Sequence, residues 1–155
     1  MRDYAGAVSF PKIELHVHLE GTVRPETLLQ IARRNDYALP CSTVEELQAL
    51  YEFRDFPHFI EVWILTTNAL RTSEDFRQVV VDYAAEAAGH GAVYIEGIFS
   101  PAERVRRGVG WDEIFSGYCD GAEHTGGFGC VVHRHQGSYL ADWPSELNGT
   151  VVNGS

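Results

Sequence analysis

Two histidines, His16 and His18, lie two positions apart within residues 13–20, where apolar and polar residues alternate without interruption. This alternation predicts a β-strand, in which alternate side chains point to the same face. The backbones of the two histidines would then be roughly 6.6 Å apart, since a strand rises about 3.3 Å per residue. At that separation both rings can reach one metal ion, with metal–nitrogen distances of about 2.0–2.1 Å. Neutral imidazoles suit Zn²⁺, and the ligand type also allows Fe, Co or Ni.

A His-x-His tripeptide is a weak signal by itself, because the same spacing arises by chance on the exposed face of an edge strand. The predicted face also carries Glu14 and Glu20, and the opposite face carries the apolar residues of the alternation. The sequence therefore predicts a polar strand face that suits metal binding, and the elements around it decide whether that face belongs to a site.

The surrounding pattern predicts several helices and one further strand. Apolar periodicity, early prolines and capping residues predict helices over residues 25–35, 42–50, 57–70, 72–89 and 111–123. The apolar run of residues 92–99 predicts a mostly buried second strand. The order of a strand, helices, a strand and a helix indicates an α/β fold with a parallel sheet.

Residues 124–155 differ in composition from residues 1–123. They contain Gly-Gly and Asn-Gly turn signals and one short apolar run at residues 130–132. Such a segment predicts a divergent, irregular tail after a structured first part. Cys130, His133 and His135 have a spacing that imitates a metal site, but their Gly-rich surroundings offer no rigid element to hold one.

Composition limits the possible partners. The 155 residues, 45% of them hydrophobic, are enough for the core of one ordinary domain. The formal net charge of −10 disfavours nucleic acids and anionic membrane surfaces. Three cysteines without a short paired spacing indicate neither a disulfide framework nor a Cys-rich zinc site. Without a signal peptide or an apolar run of membrane-spanning length, the sequence predicts a cytoplasmic protein.

The residues around the two histidines resemble a known family. Residues 11–22, PKIELHVHLEGT, and residues 24–28, RPETL, are closely similar to the opening of the adenosine and adenine deaminase family. Similar stretches at residues 44–47 and 93–101 follow in the family's order, so the resemblance covers roughly residues 9–123. It implies the N-terminal part of a (β/α)₈ TIM barrel, with about two strands plus helices and therefore incomplete, whose active site lies at the carboxyl ends of the strands.

The resemblance also implies a metal and a reaction. In this family two histidines of the first strand, a third histidine and an aspartate hold zinc, and the first two positions match His16 and His18. His18 is also expected close to the substrate. Zinc lowers the pKa of water for attack on C6 of the purine, which turns adenosine into inosine plus ammonia or, alternatively, adenine into hypoxanthine. No catalytic residue of the family beyond these metal ligands is matched, so we expect the 155-residue chain by itself to be inactive.

Further positions match substrate contacts of the family. Adenosine deaminases commonly carry an aspartate two places after the second histidine, where it reaches the ribose 5′-hydroxyl. This chain has Glu20, whose longer side chain can accept the same hydrogen bond or can fill the sugar space and favour adenine. Phe56, Phe59 and Ile60 match a segment that lines the purine pocket, although an apolar stripe at that spacing also fits plain core.

Three hypotheses therefore stand. The chain is a deaminase by ancestry that acts on a small purine nucleoside or base, or it is a regulatory fragment that docks on a full-length relative. In the third hypothesis it is a small α/β protein whose His-x-His is only structural. In the first two hypotheses the chain is an incomplete barrel, and its exposed strand edges also predict self-association.

Overall fold

A computed structural model of the chain describes residues 10–125 and the backbone of residues 129–134. The strands of this part form one parallel sheet in the order β1-β2-β3, where β1 is Lys12–His18, β2 is Ala92–Phe99 and β3 is Gly129–Arg134. A 3₁₀ turn, Leu19–Gly21, follows β1. The α-helices are α1 (Pro25–Arg34), α2 (Val44–Leu50), α3 (Phe56–Ala69), α4 (Ser73–Gly89), α5 (Ala102–Arg106) and α6 (Trp111–His124). The predicted parallel α/β fold is confirmed.

Local sequence signals determine where the helices begin. Pro25 and Pro57 occupy first-turn positions of α1 and α3, where a proline loses no helical hydrogen bond. The sequence predicts α2 from residue 42, but the helix begins at Val44 because the residue before it is the cap. The Thr43 hydroxyl accepts from the Glu46 N–H at 3.2 Å, and the Glu46 carboxylate accepts from the Thr43 N–H at 3.3 Å. None of the helices within residues 10–125 is long and apolar enough to cross a membrane.

A buried carboxylate holds the start of α4 against α1. Asp75 is fully buried and accepts from the backbone N–H groups of Arg71 and Thr72, both at 2.9 Å, and from the Asn35 side chain at 2.6 Å. The Arg34 guanidinium adds an ion pair at 2.5 Å. Burial acts to raise the pKa of the Asp75 carboxyl, but these donors outweigh it and hold the pKa below its ordinary range.

Helices α4 and α6 pack closely because a glycine faces α4 at their contact. A Cβ atom on Gly117 would lie 2.3 Å from the carbonyl oxygen of Ser73, so only glycine fits there. The buried rings of Phe76 and Tyr118 fill the same contact with their centroids 5.1 Å apart. Tyr118 also packs on Phe99, at the end of β2, at a centroid distance of 4.9 Å. The main core therefore contains residues of this helix pair and of the carboxyl end of the sheet, together with residues of α1, α2 and α3.

The first strand is shorter than predicted and only partly covered. The sequence predicts a strand over residues 13–20, whereas β1 ends two residues earlier and the last predicted residues form the 3₁₀ turn. Leu19 is 1% exposed and belongs to the core, while Ile13 and Leu15 are 63% and 58% exposed. The apolar face of the alternation is thus buried only at the end that carries the turn.

A third strand corrects the prediction for the tail. The sequence predicts irregular structure over residues 124–155, which is wrong for residues 129–134, and α6 itself runs to His124. The backbone of β3 pairs in parallel with β2, from Tyr94 opposite Gly129 to Phe99 opposite Arg134. The apolar run at residues 130–132 is too short for its periodicity to predict a strand, but an existing parallel neighbour supplies its hydrogen bonds. Residues 126–128 and 135–155 of the predicted tail lie outside the described residues.

Candidate active site

His16 and His18 lie at the carboxyl end of β1, and both side chains are exposed. His18 is opposite Ile98 of β2, so the two strands end side by side. In open and closed parallel α/β sheets, ligand sites form at this edge, because loops of variable sequence follow the strands there. The predicted location of the histidine pair is therefore the edge of the sheet where a site is expected.

A β-bulge at His16 interrupts the alternation of β1. Glu14 is opposite Ile95 and Val17 is opposite Gly97, so β1 uses one more residue than β2 over this stretch. His16 has a φ of 62°, in the left-handed region that is uncommon for residues with a side chain. The regular two-residue alternation predicted for this strand is wrong at this point. The bulge, in addition to the pleat of the strand, sets the direction of the His16 side chain.

The two imidazole rings are separated by a distance that suits a shared metal ion. Their centroids lie 5.5 Å apart, and the ring planes are inclined at 75°. With a zinc–nitrogen distance of about 2.0–2.1 Å, each ring centre lies about 3.2 Å from the metal, and a tetrahedral ion separates the two centres by about 5.2 Å. Residues 10–125 contain no group of three or more His, Cys, Asp or Glu side chains that could hold a metal ion. The described part of the chain therefore offers two ligands of such a site.

The turn that follows His18 is packed into the protein. Leu19 is in the core, and a Cβ atom on Gly97 of β2 would lie 2.9 Å from the Leu19 Cδ2 atom. The Thr22 hydroxyl donates to the Leu19 carbonyl at 2.9 Å, and the Thr22 N–H donates to the same oxygen at 3.1 Å. The backbone directly after His18 is therefore held in place by the packing of Leu19 and by these two hydrogen bonds.

Glu20 extends from this turn toward the end of β2 and is buried, with 4% of its surface exposed. Its Oε1 accepts a hydrogen bond from the Ser100 N–H at 2.5 Å, which joins the ends of the two strands. Burial raises the pKa of the Glu20 carboxyl, against the lowering effects of the Ser100 and Glu20 N–H groups and of the charge on Arg104. The residue that the sequence predicts as a substrate contact thus has a partner inside the protein.

The arginine whose charge acts on Glu20, Arg104 in α5, is itself buried. Only 3% of its surface is exposed, and its Nη1 donates to the Asn68 Oδ1 at 2.8 Å. Among the residues that the structure describes, its Nη2 and the buried Tyr118 hydroxyl have no hydrogen-bond partner. Burial, followed by the charge on Glu20, raises the pKa of Tyr118 well above its ordinary value. Sequence reasoning missed Arg104, since an arginine shortly after a strand usually lies on the surface.

The predicted pocket residues Phe56 and Phe59 belong to an aromatic cluster at the start of α3. Their ring centroids lie 6.0 Å apart, and Phe53 packs edge-on against Phe59 at 5.2 Å. Phe56 is 72% exposed, while Phe59 and Ile60 are half-buried. This exposure argues against the alternative that Phe56 is plain core, and it leaves an apolar surface for a ligand ring or for another part of a barrel.

Known proteins resemble this chain over most of its length. The sequence profile of the family described as adenosine deaminase matches residues 11–134. The match includes β3, so the resemblance continues beyond residue 123, the end expected from the sequence alone. The aminodeoxyfutalosine deaminase of Acidothermus cellulolyticus is 68% identical over 123 residues, which are 79% of this chain and 35% of that protein.

Two solved structures share the fold. The adenine deaminase of Arthrobacter aurescens superimposes with a TM-score of 0.70 at 31% identity, over 79% of this chain and 38% of that one. An amidohydrolase of Burkholderia ambifaria with bound zinc gives a TM-score of 0.67 at 22% identity, over 83% and 36% of the two chains. These neighbours are TIM barrels, which confirms the predicted partial (β/α)₈ barrel. The chain spans between 35% and 38% of the length of these three proteins.

Proposed function

Since the chain belongs to the adenosine deaminase family, we propose that it forms the N-terminal part of a metal-dependent enzyme that removes the amino group of an adenine ring by hydrolysis. The observation that carries the proposal is the pair of His16 and His18 rings, 5.5 Å apart at the carboxyl end of a strand. Barrel enzymes build their active sites at that end of the sheet.

The two histidines would hold a zinc ion, which suits two neutral imidazoles. When bound, zinc lowers the pKa of water and supplies a nucleophile at neutral pH. The chain's own contribution is to present both rings: the bulge sets the direction of His16, and the buried turn fixes the backbone after His18. Because catalytic zinc sites use three protein ligands and keep one position open, a working site needs at least one more ligand than this pair.

We assign the wall of the purine pocket to Phe56, Phe59 and Ile60. Exposed aromatic rings at the start of α3 can pack on a planar base, and such contacts usually contribute about 0.5–1.5 kcal/mol beyond the buried area. His18 would contact the substrate in addition to holding the metal. The substrate contact of Glu20 stays a prediction, because the structure gives its carboxylate the Ser100 N–H as a partner.

We infer that the substrate is aminodeoxyfutalosine, ahead of adenosine. The relative of that name shares 68% of its residues with this chain over the matched segment, whereas the solved adenine deaminase shares 31%. Adenine is the second candidate, and the observation that favours it is the fold shared with the solved adenine deaminase, at 31% identity and a TM-score of 0.70. A cytoplasmic location also stays a prediction.

The test uses a chimaera in which residues 11–123 replace the matching segment of the Acidothermus cellulolyticus deaminase. We expect the chimaera to release ammonia from aminodeoxyfutalosine with a kcat/KM at least about tenfold above those for adenosine and adenine, a discrimination of about 1.4 kcal/mol. The His16→Ala, His18→Ala double variant should bind no zinc at this site and should be inactive. A chimaera that holds zinc but deaminates none of the three compounds would contradict the proposed function.

The 155-residue chain tests the regulatory alternative. With two metal ligands it should bind zinc weakly and release no measurable ammonia from any of the three compounds. Co-purification of this chain with a full-length deaminase, together with a change in that enzyme's kcat, would favour a regulatory fragment.

A further inference from the structure

The candidate metal ligands are followed by a turn that both strand ends share. Leu19 packs against Gly97 of β2, and Glu20 accepts from the N–H of Ser100 just after β2. The turn therefore joins β1 to β2 at the edge where His18 ends its strand. A metal ligand next to such a turn has its backbone fixed before any metal binds, which is the role that residues around a metal site usually serve.

The burial of Glu20 is unusual for a residue whose only role is to contact substrate. A carboxylate that recognises a ligand must be open to the pocket, whereas Glu20 is 4% exposed and accepts from a backbone N–H at 2.5 Å. Removing a carboxylate from water is costly unless it is hydrogen-bonded and its charge is balanced. Within the described residues, Ser100 supplies the hydrogen bond, and the charge must be balanced by a group nearby.

Arg104 is a buried cation whose charge favours the charged form of Glu20. Only 3% of the surface of Arg104 is exposed, and its Nη1 donates to the Oδ1 of Asn68, in the last turn of α3, at 2.8 Å. A second buried charge at this place has a physical reason only if it has a partner of opposite sign. The Glu20 bond therefore joins the turn after β1 to the end of β2, and the Arg104 bond joins α5 to α3.

We infer that Glu20 and Arg104 are positioning residues for the metal-binding histidines: the Glu20 carboxylate ties the Leu19–Gly21 turn to Ser100, and the Arg104 guanidinium, held by Asn68, balances its charge. Neither residue needs to touch the substrate for this role. The consequence for catalysis rests on the proposed function, whereas the link between the strand ends does not.

The first experiment measures hydrogen exchange of the Ser100 amide and the apparent zinc Kd of the histidine pair in the 155-residue chain. Glu20→Asp shortens the side chain by one methylene and should raise both the exchange rate and the zinc Kd by about tenfold, as loss of supporting residues commonly does. Glu20→Gln keeps an acceptor oxygen at the same reach and should restore most of the Ser100 protection. The exposed Glu45, changed to Gln, is the matched control and should alter neither quantity.

The Arg104→Met variant tests the second positioning residue with the same zinc measurement. It should raise the zinc Kd in the same direction as Glu20→Asp, while Arg33→Met, at an exposed arginine, should not. In the chimaera a positioning role lowers kcat in both Glu20→Asp and Arg104→Met and leaves KM nearly unchanged. A raised KM or an altered substrate preference in Glu20→Asp, with zinc affinity and Ser100 exchange unchanged, would overturn the inference and restore a substrate contact.

Failure of the two proposals can be told apart. If the unmodified chimaera binds zinc but shows no deaminase activity, the proposed function fails, and the exchange and zinc measurements still decide the positioning role. If the chimaera is active and Ser100 exchanges at the same rate in the parent, Glu20→Asp and Glu20→Gln, the positioning role fails while the proposed function stands.

Discussion

Among the residues that the structure describes, two buried carboxylates have different surroundings: Asp75 lies in the helical scaffold and Glu20 at the candidate active site. Asp75 accepts from two backbone N–H groups, an asparagine and the Arg34 guanidinium, and its pKa is lowered. Glu20 accepts from the Ser100 N–H, has the charge of Arg104 nearby, and its pKa is raised by burial. The carboxylate in the scaffold is thus surrounded by hydrogen-bond donors, whereas the carboxylate at the candidate site has few donors.

The same contrast appears in the backbone. The scaffold helices begin with regular caps and prolines, and the left-handed Asp36 (φ 48°) lies just after α1, where such backbone commonly ends a helix; the candidate site instead has a bulge and the left-handed His16 within a strand. Strained or sparsely bonded residues commonly collect at functional sites, where geometry for a ligand outweighs stability. The comparison predicts that changes in the scaffold mainly affect stability, whereas changes at the strand end mainly affect metal binding.

Removal of the Asp75 carboxylate should have the largest effect on stability. Asp75→Ala leaves two backbone N–H groups without their side-chain acceptor and removes one of the acceptors of Arg34 and of Asn35, so the free energy of unfolding should fall by about 3–5 kcal/mol. Urea denaturation followed by circular dichroism measures this. Asp120→Ala, at an exposed aspartate, should stay within about 0.5 kcal/mol. An equal, small effect for both variants would remove the contrast between scaffold and site.

A methyl group at Gly97 should have a smaller effect on stability and a distinct effect on metal binding. The new Cβ would meet the Leu19 side chain at 2.9 Å, and overpacking of this kind costs about 1–3 kcal/mol. Because Leu19 directly follows His18, the zinc Kd should rise as well. Gly89→Ala is the control, since a Cβ there meets nothing within 4 Å. Isothermal titration with zinc checks both variants, and an unchanged zinc Kd in Gly97→Ala would separate the turn from the histidine pair.

The sequence predicts the scaffold well because its signals are local. Alternation, prolines and capping residues lie within a few positions of the elements they determine, so β2 and the five predicted helices are found close to their predicted bounds, whereas the short helix α5 was not predicted. The third strand was missed because the hydrogen bonds of residues 129–134 come from β2, more than thirty positions away. A run of three apolar residues in a Gly-rich segment carries no local sign of that partner.

The candidate site is predictable in its residue types but not in its geometry. His16 and His18 are identified by their spacing and by the family resemblance. The bulge between Glu14 and Val17 depends on the register of β1 against β2, and the alternating sequence pattern does not indicate that register. The burial of Glu20 and Arg104 depends on Ser100 and Asn68, which lie 80 and 36 positions from these residues. Contacts at such separations leave no periodic signal in the sequence.

The pH dependence of stability should follow Asp75. Since its pKa is lower in the folded chain than in the unfolded chain, its stabilising contribution is complete above the unfolded value of about 3.9. The contribution is lost as the pH falls through the folded value. The difference in unfolding free energy between the parent and Asp75→Asn should therefore be constant from pH 7 to about pH 5 and should shrink in stronger acid. A difference that grows below pH 5 would contradict the assigned direction.

The smallest expected effect on stability distinguishes the two histidines from each other. His16 has a φ of 62°, a conformation that costs a residue with a side chain roughly 1 kcal/mol and that glycine adopts freely. His18 has no positive φ, so His18→Gly gains no such relief and loses the usual stability of a side chain in a strand. We therefore expect His16→Gly to raise the free energy of unfolding by about 0.5–1 kcal/mol without zinc, and His18→Gly to lower it by a similar amount.

Both variants should weaken zinc binding, because each removes one of the two imidazoles. Denaturation curves with and without zinc measure all four quantities. If His16→Gly destabilised the zinc-free chain as much as His18→Gly does, the left-handed backbone of His16 would not be strained. The contrast between the scaffold and the candidate site would then not extend to the backbone.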